Sequence, residues 1–226
     1  QNGVTVYVHD HRGHGRNVEK KSQRGIARMA DLESDMVAMI DYAKRETGLP
    51  IIQFGHSLGG LVGLYTTLHA KPPVVGAIIT SPWLLLVNPP PKALFGAVRG
   101  LSGVLAPFSI ANGIPSSALS HDPAVCAQYD VDPYNHGRIG LALAGDADRA
   151  ADWVLAHPEE LNVPLLLCHG EQDPICWVEG SRAFARSAPG VEYEEFPDAF
   201  HELHNEPMAA EKLFQTELEF INQILK

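Results

Sequence analysis

Ser57 stands in the run Gly55-His56-Ser57-Leu58-Gly59-Gly60, between an apolar stretch, Pro50 to Phe54, and Leu61-Val62-Gly63-Leu64-Tyr65. The pattern G-x-S-x-G between a strand and a helix puts a serine hydroxyl on a sharp turn, with glycines where side chains would collide. That chemistry is nucleophilic attack on an acyl group. It requires a neutral His to take the serine proton and a carboxylate to hold the His in the right tautomer. In such elbows the groups follow in the order Ser, Asp or Glu, His. A late apolar strand, Leu165 to Gly170, leads into Glu171-Gln172-Asp173-Pro174, and Asp173 is the expected acid, with Glu171 its rival. One strand further on, Asp198-Ala199-Phe200-His201-Glu202-Leu203-His204 supplies the base. His201 is expected in that role, with His204 read as a helix-start residue. The bland alternative is a serine in a glycine turn ahead of a packing helix, and the ordered acid and base weigh against it.

The elements that must position these groups alternate. Val4 to Val8 is β-branched and aromatic and reads as a buried strand. Leu32, Met36, Val37, Ile40 and Ala43 recur at helical spacing, with Asp31 as N-cap and Gly48 and Pro50 as stop signals. Ile51 to Phe54 reads as a strand, Leu58 to His69 as a helix and Val74 to Thr80 as a strand. Further strands at Pro164 to His169 and Val191 to Phe196 flank a helix at Glu179 to Ser187. A last helix opens at Asn205 and Pro207, with Phe214, Leu218, Ile221 and Leu225 as its apolar face. Strands alternating with helices imply right-handed crossovers and a mostly parallel sheet with helices on both faces. Between Trp83 and Leu161 the alternation lapses. This divides the chain into a core, residues 1–82 and 162–226, and a cap insertion, residues 83–161. Within the cap, Leu94, Phe95, Val98, Leu101, Leu105 and Phe108 fit a helix that packs on the core or touches acyl chains.

Composition narrows the partners. The 226 residues are 45% hydrophobic and 19% charged, with a formal net charge of -10, which disfavours nucleic acid. Three cysteines, Cys126, Cys168 and Cys176, read as reduced thiols and a cytoplasmic location. No apolar run reaches membrane-spanning length and no signal peptide is visible. His9, His11 and His14 lie close together, but no Cys or carboxylate set completes a metal site, and a polar-braced loop is expected. No cofactor is implied. Cys176, three residues after Asp173, is either near the active site or an inert buried thiol.

Asp10-His11-Arg12-Gly13-His14-Gly15, Gly55 to Gly60, His169-Gly170-Glu171-Gln172-Asp173 and His201-Glu202-Leu203-His204-Asn205-Glu206 together resemble the monoacylglycerol lipase and lysophospholipase-like group of α/β-hydrolases. Leu119-Ser120-His121-Asp122-Pro123 and Tyr129 to Pro133 extend the resemblance into the cap. Asn17 departs from it, standing where the group usually has Ser. The resemblance implies an α/β-hydrolase fold and hydrolysis of a carboxylic ester of an acyl chain; the apolar cap helix, whose packing on the core is the favoured reading, is also the place where peripheral contact with a lipid surface would be made. A peptidase or thioesterase with the same triad, or a non-catalytic hydrolase-like binding domain, remains open. Epoxide hydrolases and dehalogenases are disfavoured because their elbow carries Asp. The resemblance also implies an oxyanion hole built from the backbone N–H of Leu58 and a second donor upstream of Val4 to Val8. By the same resemblance a strand is missing between Val4 to Val8 and Ile51 to Phe54. The expectation is therefore an N-terminally incomplete hydrolase domain with weak activity or none in isolation.

Overall fold

The computed structural model describes residues 3–226, apart from the side chains of residues 92–94 and 102. Leu94 of the expected cap helix therefore lies outside the described side chains. Four strands, β1 (Ile52–His56), β2 (Gly76–Thr80), β5 (Leu165–Gly170) and β6 (Val191–Phe196), form one sheet in the order β1-β2-β5-β6. All three pairings are parallel, with Ile52 opposite Gly76, Ala77 opposite Leu165 and Leu165 opposite Val191. The central strands β2 and β5 are apolar on both faces because both faces are covered. Ala77, Ile79, Leu165 and Leu167 pack with α1 (Met29–Thr47), α2 (Ser57–His69), α6 (Leu141–Ala156) and Phe184 of α7 (Val178–Ser187). Ile78, Leu166 and Cys168 point the other way, against Leu213 and Phe220 of α8 (Ala210–Ile224). The parallel sheet with helices on both faces is what the alternation of strands and helices predicts, and it is the arrangement that the resemblance to α/β-hydrolases implies.

Several boundaries and one element differ from the sequence expectation. Val4 to Val8 is neither buried nor a strand. Val6 and Val8 are 74% and 83% exposed, and among the described residues only β2 pairs with β1. β-propensity forms a strand only where a ladder and a covered face are available, and this segment has neither. It does not pair directly with β1, and no other described strand fills the place beside β1. Asp31 is not the N-cap of α1. That helix starts three residues earlier, with Arg28 at the cap position, and Asp146 of α6 accepts from the Met29 N–H at 3.3 Å and from Arg28 Nε at 2.6 Å. A cap supplied from 117 residues away leaves no local signature. Gly48 does end α1 in the left-handed region, φ 66°. The last helix begins at Ala210 instead of Asn205. Asn205 belongs to a single 3-10 turn, and the buried face is Leu213 and Phe220, with Phe214 and Leu225 exposed.

Residues 83–161 hold more regular structure than the sequence suggests. They contain α3 (Lys92–Gly100), α4 (Ser102–Leu105), α5 (Pro123–Val131), α6, and an antiparallel ribbon of β3 (Ser109–Ala111) and β4 (Arg138–Gly140). Val98 of α3 is buried and would touch any Cβ added at Gly145, so α3 lies close against α6. Leu101, Val104, Phe108 and Ile110 face outward. Leu143, Ala147, Ala150, Ala151 and Val154 of α6 join the core cluster of α1, α2 and the sheet.

Candidate active site

The site forms at the C-terminal ends of β1 and β5, where parallel strands hand over to loops and helices. Ser57 is the first residue of α2 and takes φ 55°, a left-handed conformation that L side chains rarely adopt. The turn is tight because a Cβ on Gly55 would lie 2.4 Å from the Gly59 carbonyl oxygen. As the second residue of α2, Leu58 has an N–H with no partner inside the helix, leaving it free to bind an anion at a helix N-terminus.

Asp173 follows β5 and is buried, as is His201 after β6. His201 Nδ1 lies 2.7 Å from Asp173 Oδ2. Asp173 Oδ1 accepts from the N–H groups of Ile175 at 2.8 Å and Cys176 at 3.0 Å. Burial alone would push the Asp173 carboxyl up, but donors from His169 and His201 outweigh it and hold the group well below the ordinary carboxylate range. The carboxylate is thus fixed and ionised. The rivals lie elsewhere. Glu171 is exposed and reaches toward Arg182 at 3.8 Å, and His204 Nε2 pairs with Glu217 at 2.7 Å.

Ser57 and His201 are brought to one place without a direct hydrogen bond among the described residues. The ring of His56, next to Ser57 in the chain, packs on the His201 ring with centroids 4.7 Å apart. His56 Nδ1 lies 3.0 Å from Thr80 Oγ1. Burial, then the neighbouring His201 and His204, keeps the His56 imidazole far below its usual pKa, so it does not compete for the serine proton. Burial and the nearby Asp173 charge push the Cys176 thiol well above its usual value, and the Ser57 hydroxyl lies close enough to offset part of this. Cys176 is therefore both readings at once, a neighbour of the site and a buried thiol. The three cysteines are free.

Asp173, Cys176 and His201 offer ligand atoms within 4.8 Å of one another. The carboxylate oxygens, however, already accept backbone and imidazole N–H groups, an arrangement suited to moving a proton. His9 and His11 meet edge to face at 5.2 Å, and the His11 ring lies beside Gly59 of the elbow.

Two groups that sequence reasoning left without a role brace the Asp173–His201 pair. Glu206, 2% exposed, accepts from the N–H of Phe200 at 3.0 Å, the N–H of His121 at 3.1 Å and His121 Nδ1 at 3.1 Å. Glu202 N–H donates to the Leu119 carbonyl and Ser120 Oγ to that of Asn205, so residues 119–121 are stitched to the loop that carries His201. His169, the residue before Gly170, lies directly behind Asp173. Its signal was the His-Gly pair ending β5, visible in the sequence but indistinguishable there from a core histidine.

A cavity of about 560 Å³ lies between the loop of residues 10–16 and residues 112–138. Asp10, His14, Arg16, Asn112, Tyr129, Asp132, His136 and Arg138 give it a polar lining, and none of Ser57, Asp173 and His201 lines it. No described helix is long and apolar enough to cross a membrane.

The strand order, the strained serine at the head of α2 and the buried Asp–His pair define a hydrolase of the α/β class. The family model described as Hydrolase_4, serine aminopeptidase S33, matches residues 1–208, and the chain belongs to that family. It is 30% identical over 210 residues to the monoacylglycerol lipase of Mycolicibacterium smegmatis, covering 91% of this chain and 74% of that protein. It is 28% identical to the human monoglyceride lipase, covering 90% of this chain and 68% of the relative. The crystal structure of the Paleococcus ferrophilus monoacylglycerol lipase superposes with a TM-score of 0.85 at 26% identity, over 95% of this chain and 82% of that one.

Proposed function

We propose that the protein is a serine hydrolase of acyl esters, of the monoacylglycerol or lysophospholipid type, with Ser57 as nucleophile, His201 as general base and Asp173 as its orienting acid. The buried 2.7 Å contact between Asp173 and His201 beside the Ser57 elbow carries this reading. An acceptor at Nδ1 places the imidazole proton there and leaves Nε2 free to take the serine proton. The Ser57 hydroxyl comes within hydrogen-bond reach of His201 as substrate enters, in keeping with catalytic hydrogen bonds that tighten only in the complex. Attack on the ester carbonyl gives an oxyanion facing the Leu58 N–H. His201 then returns the proton to the departing alcohol, and water hydrolyses the acyl-enzyme by the same steps in reverse roles.

Residues 83–161 serve as the cap in this reading, with α6 rooting it in the core. The outward Leu101, Val104, Phe108 and Ile110 are suited to peripheral contact with a lipid surface on the cytoplasmic side. An apolar acyl pocket beneath the cap, distinct from the polar cavity, completes the proposal. The formal charge of -10 argues against nucleic acid as a partner.

Fluorophosphonate labelling of the protein and of Ser57→Ala is the test, paired with an acyl-length series of p-nitrophenyl esters. Labelling and turnover lost in Ser57→Ala, with medium or long chains preferred, support the proposal. Retained turnover in that variant refutes the nucleophile, and a clear preference for acetyl refutes the pocket. The family description favours one second reading, an aminopeptidase with the same triad. Faster hydrolysis of aminoacyl p-nitroanilides than of esters would select it.

A further inference from the structure

His169 sits at the end of β5 with no exposed side-chain surface, four residues before Asp173. Its Nε2 lies 3.0 Å from the Cys176 carbonyl oxygen and 3.2 Å from Asp173 Oδ2. Both are acceptors, so Nε2 carries a hydrogen. Its Nδ1 lies 2.7 Å from the hydroxyl of Ser181, a fully buried residue of α7. With Nε2 protonated, Nδ1 of the neutral ring accepts the Ser181 O–H, and the tautomer is fixed from the α7 side. The same ring therefore touches both ends of the turn from Asp173 to Cys176. That turn is closed from within by Asp173 Oδ1, which accepts the Ile175 and Cys176 N–H groups.

We propose that His169, oriented by Ser181, is a positioning residue for the general base. Its Nε2–H bridges the Asp173 carboxylate and the Cys176 carbonyl, holding Asp173 Oδ2 aimed at His201 and the Cys176 thiol beside Ser57. This rests on the triad reading above and adds a group that touches neither substrate nor reacting atoms. Without the bridge, Asp173 keeps its two backbone donors but loses the contact that fixes the rotation of Oδ2. The imidazolium formed on His201 during attack then loses part of its stabilisation.

Besides Asp173, the titratable groups near His201 are His56 from β1, Cys176 from the turn before α7, and Glu202 and His204 from its own loop. His121 and Glu206 reach the same loop through Phe200. His169→Leu and Ser181→Ala alter none of these groups, so a change in the pH profile reports on the bridge.

The experiment measures kcat and KM for a p-nitrophenyl ester against pH in wild type, His169→Leu, His169→Gln and Ser181→Ala. One hydrogen bond to a charged group corresponds to about a 10- to 100-fold change in rate. His169→Leu is expected to lose about that factor in kcat with KM nearly unchanged. The acid limb of kcat/KM moves to lower pH by roughly half a unit, because a less firmly paired His201 protonates less readily. His169→Gln, whose amide donates from a similar place, recovers most of the rate and the limb. Ser181→Ala falls between wild type and His169→Leu. A wild-type rate and limb in folded His169→Leu overturns the proposal. So does a rate loss with an unmoved limb, which is the mark of a merely structural role. If His169→Leu does not fold, Ser181→Ala at wild-type rate and profile overturns it equally. Ser57→Ala and His201→Ala run alongside. Activity in either refutes the triad itself, whereas their inactivity beside a normal His169→Leu refutes only the positioning role.

Discussion

Asp173→Asn changes one buried atom and leaves the shape of the side chain intact. Asp173 Oδ1 accepts two backbone N–H groups, at 2.8 and 3.0 Å, and Oδ2 faces the ring nitrogens of His201 and His169 at 2.7 and 3.2 Å. The Asn carbonyl is held by the backbone pair, which turns its NH2 toward the two imidazoles. His201 must then present an unprotonated Nδ1 and carry its hydrogen on Nε2, where it no longer accepts the serine proton. Loss of the correct tautomer in a serine triad costs about 10⁴-fold in kcat, or about 5.4 kcal/mol of barrier. The NH2 also opposes the Nε2–H of His169, and one buried donor left without an acceptor costs about 1–3 kcal/mol. Relief from burying a charge offsets part of this, so a loss of about 2 kcal/mol and roughly 4–8 °C in Tm is expected. The stability gap is also pH-dependent. A carboxyl held below its usual pKa stabilises the fold above the unfolded value of about 3.9, and this is lost as pH falls through the folded value. The advantage of wild type over Asp173→Asn should therefore narrow below about pH 4. Ester hydrolysis under pseudo-first-order conditions and melts at stepped pH supply both readouts. Turnover within tenfold of wild type, or an equal loss in Glu171→Gln, would refute the assignment of Asp173.

Other perturbations separate neighbouring claims. Burial first, then His9 and His14, lowers the His11 pKa to about 4. Below about pH 6.5 the unfolded chain takes up a proton that the fold resists, so stability falls from about pH 6.5 to about pH 4 by up to about 1.4 kcal/mol per unit. In urea unfolding His11→Gln should flatten that slope, and an unchanged slope would contradict it. A Cβ at Gly55 meets the Gly59 carbonyl oxygen at 2.4 Å, whereas one at Gly59 meets only His11 Nε2 at 3.5 Å. Gly55→Ala should cost about 1–3 kcal/mol, and Gly59→Ala should melt at or above wild type; the opposite order would sink the packing argument. Cys176 adjoins the site but is buried with a raised thiol pKa. N-ethylmaleimide should inactivate slowly at pH 7.5 and faster as pH rises, and Cys176→Ala should remove that inactivation; inactivation unchanged in Cys176→Ala would rule out the thiol.

The sheet was legible wherever apolar runs were bounded by turn signals. β2 and β5 are strands buried on both faces, and their residues announce it. Asp173 and His201 could be put forward as a pair because chemistry restricts both residue type and chain order, and their side chains lie 2.7 Å apart. What failed was information held elsewhere in the chain. Val4 to Val8 has strand composition, yet a strand needs a neighbour, and composition does not say whether one is present. The start of α1 was misplaced because Asp146, far away in sequence, caps it. On α8 the helical period was read correctly and the phase was shifted: Ile221 of the expected face packs on the core, but Phe214 and Leu225 do not. Phe214 and Leu225 are as apolar as Leu213 and Phe220, and only the position of the sheet decides which pair is covered. His169 and Glu206 were invisible as site residues because their roles depend on partners in α7 and the cap.

The tie between Glu206, His121 and Phe200 sets a limit on where the roof of this enzyme can be rebuilt. Residues 119–121 and the loop bearing His201 share one buried carboxylate, so they form a single mechanical unit although about 80 residues separate them. Upstream of Leu119, the described side chains of residues 96–118 make no such attachment to the His201 loop, and the apolar ones largely face outward. Variation in length and composition there leaves that loop undisturbed. An exchange of this segment has a natural splice point just before Leu119, and a splice placed after it would carry the ties to the His201 loop along with it.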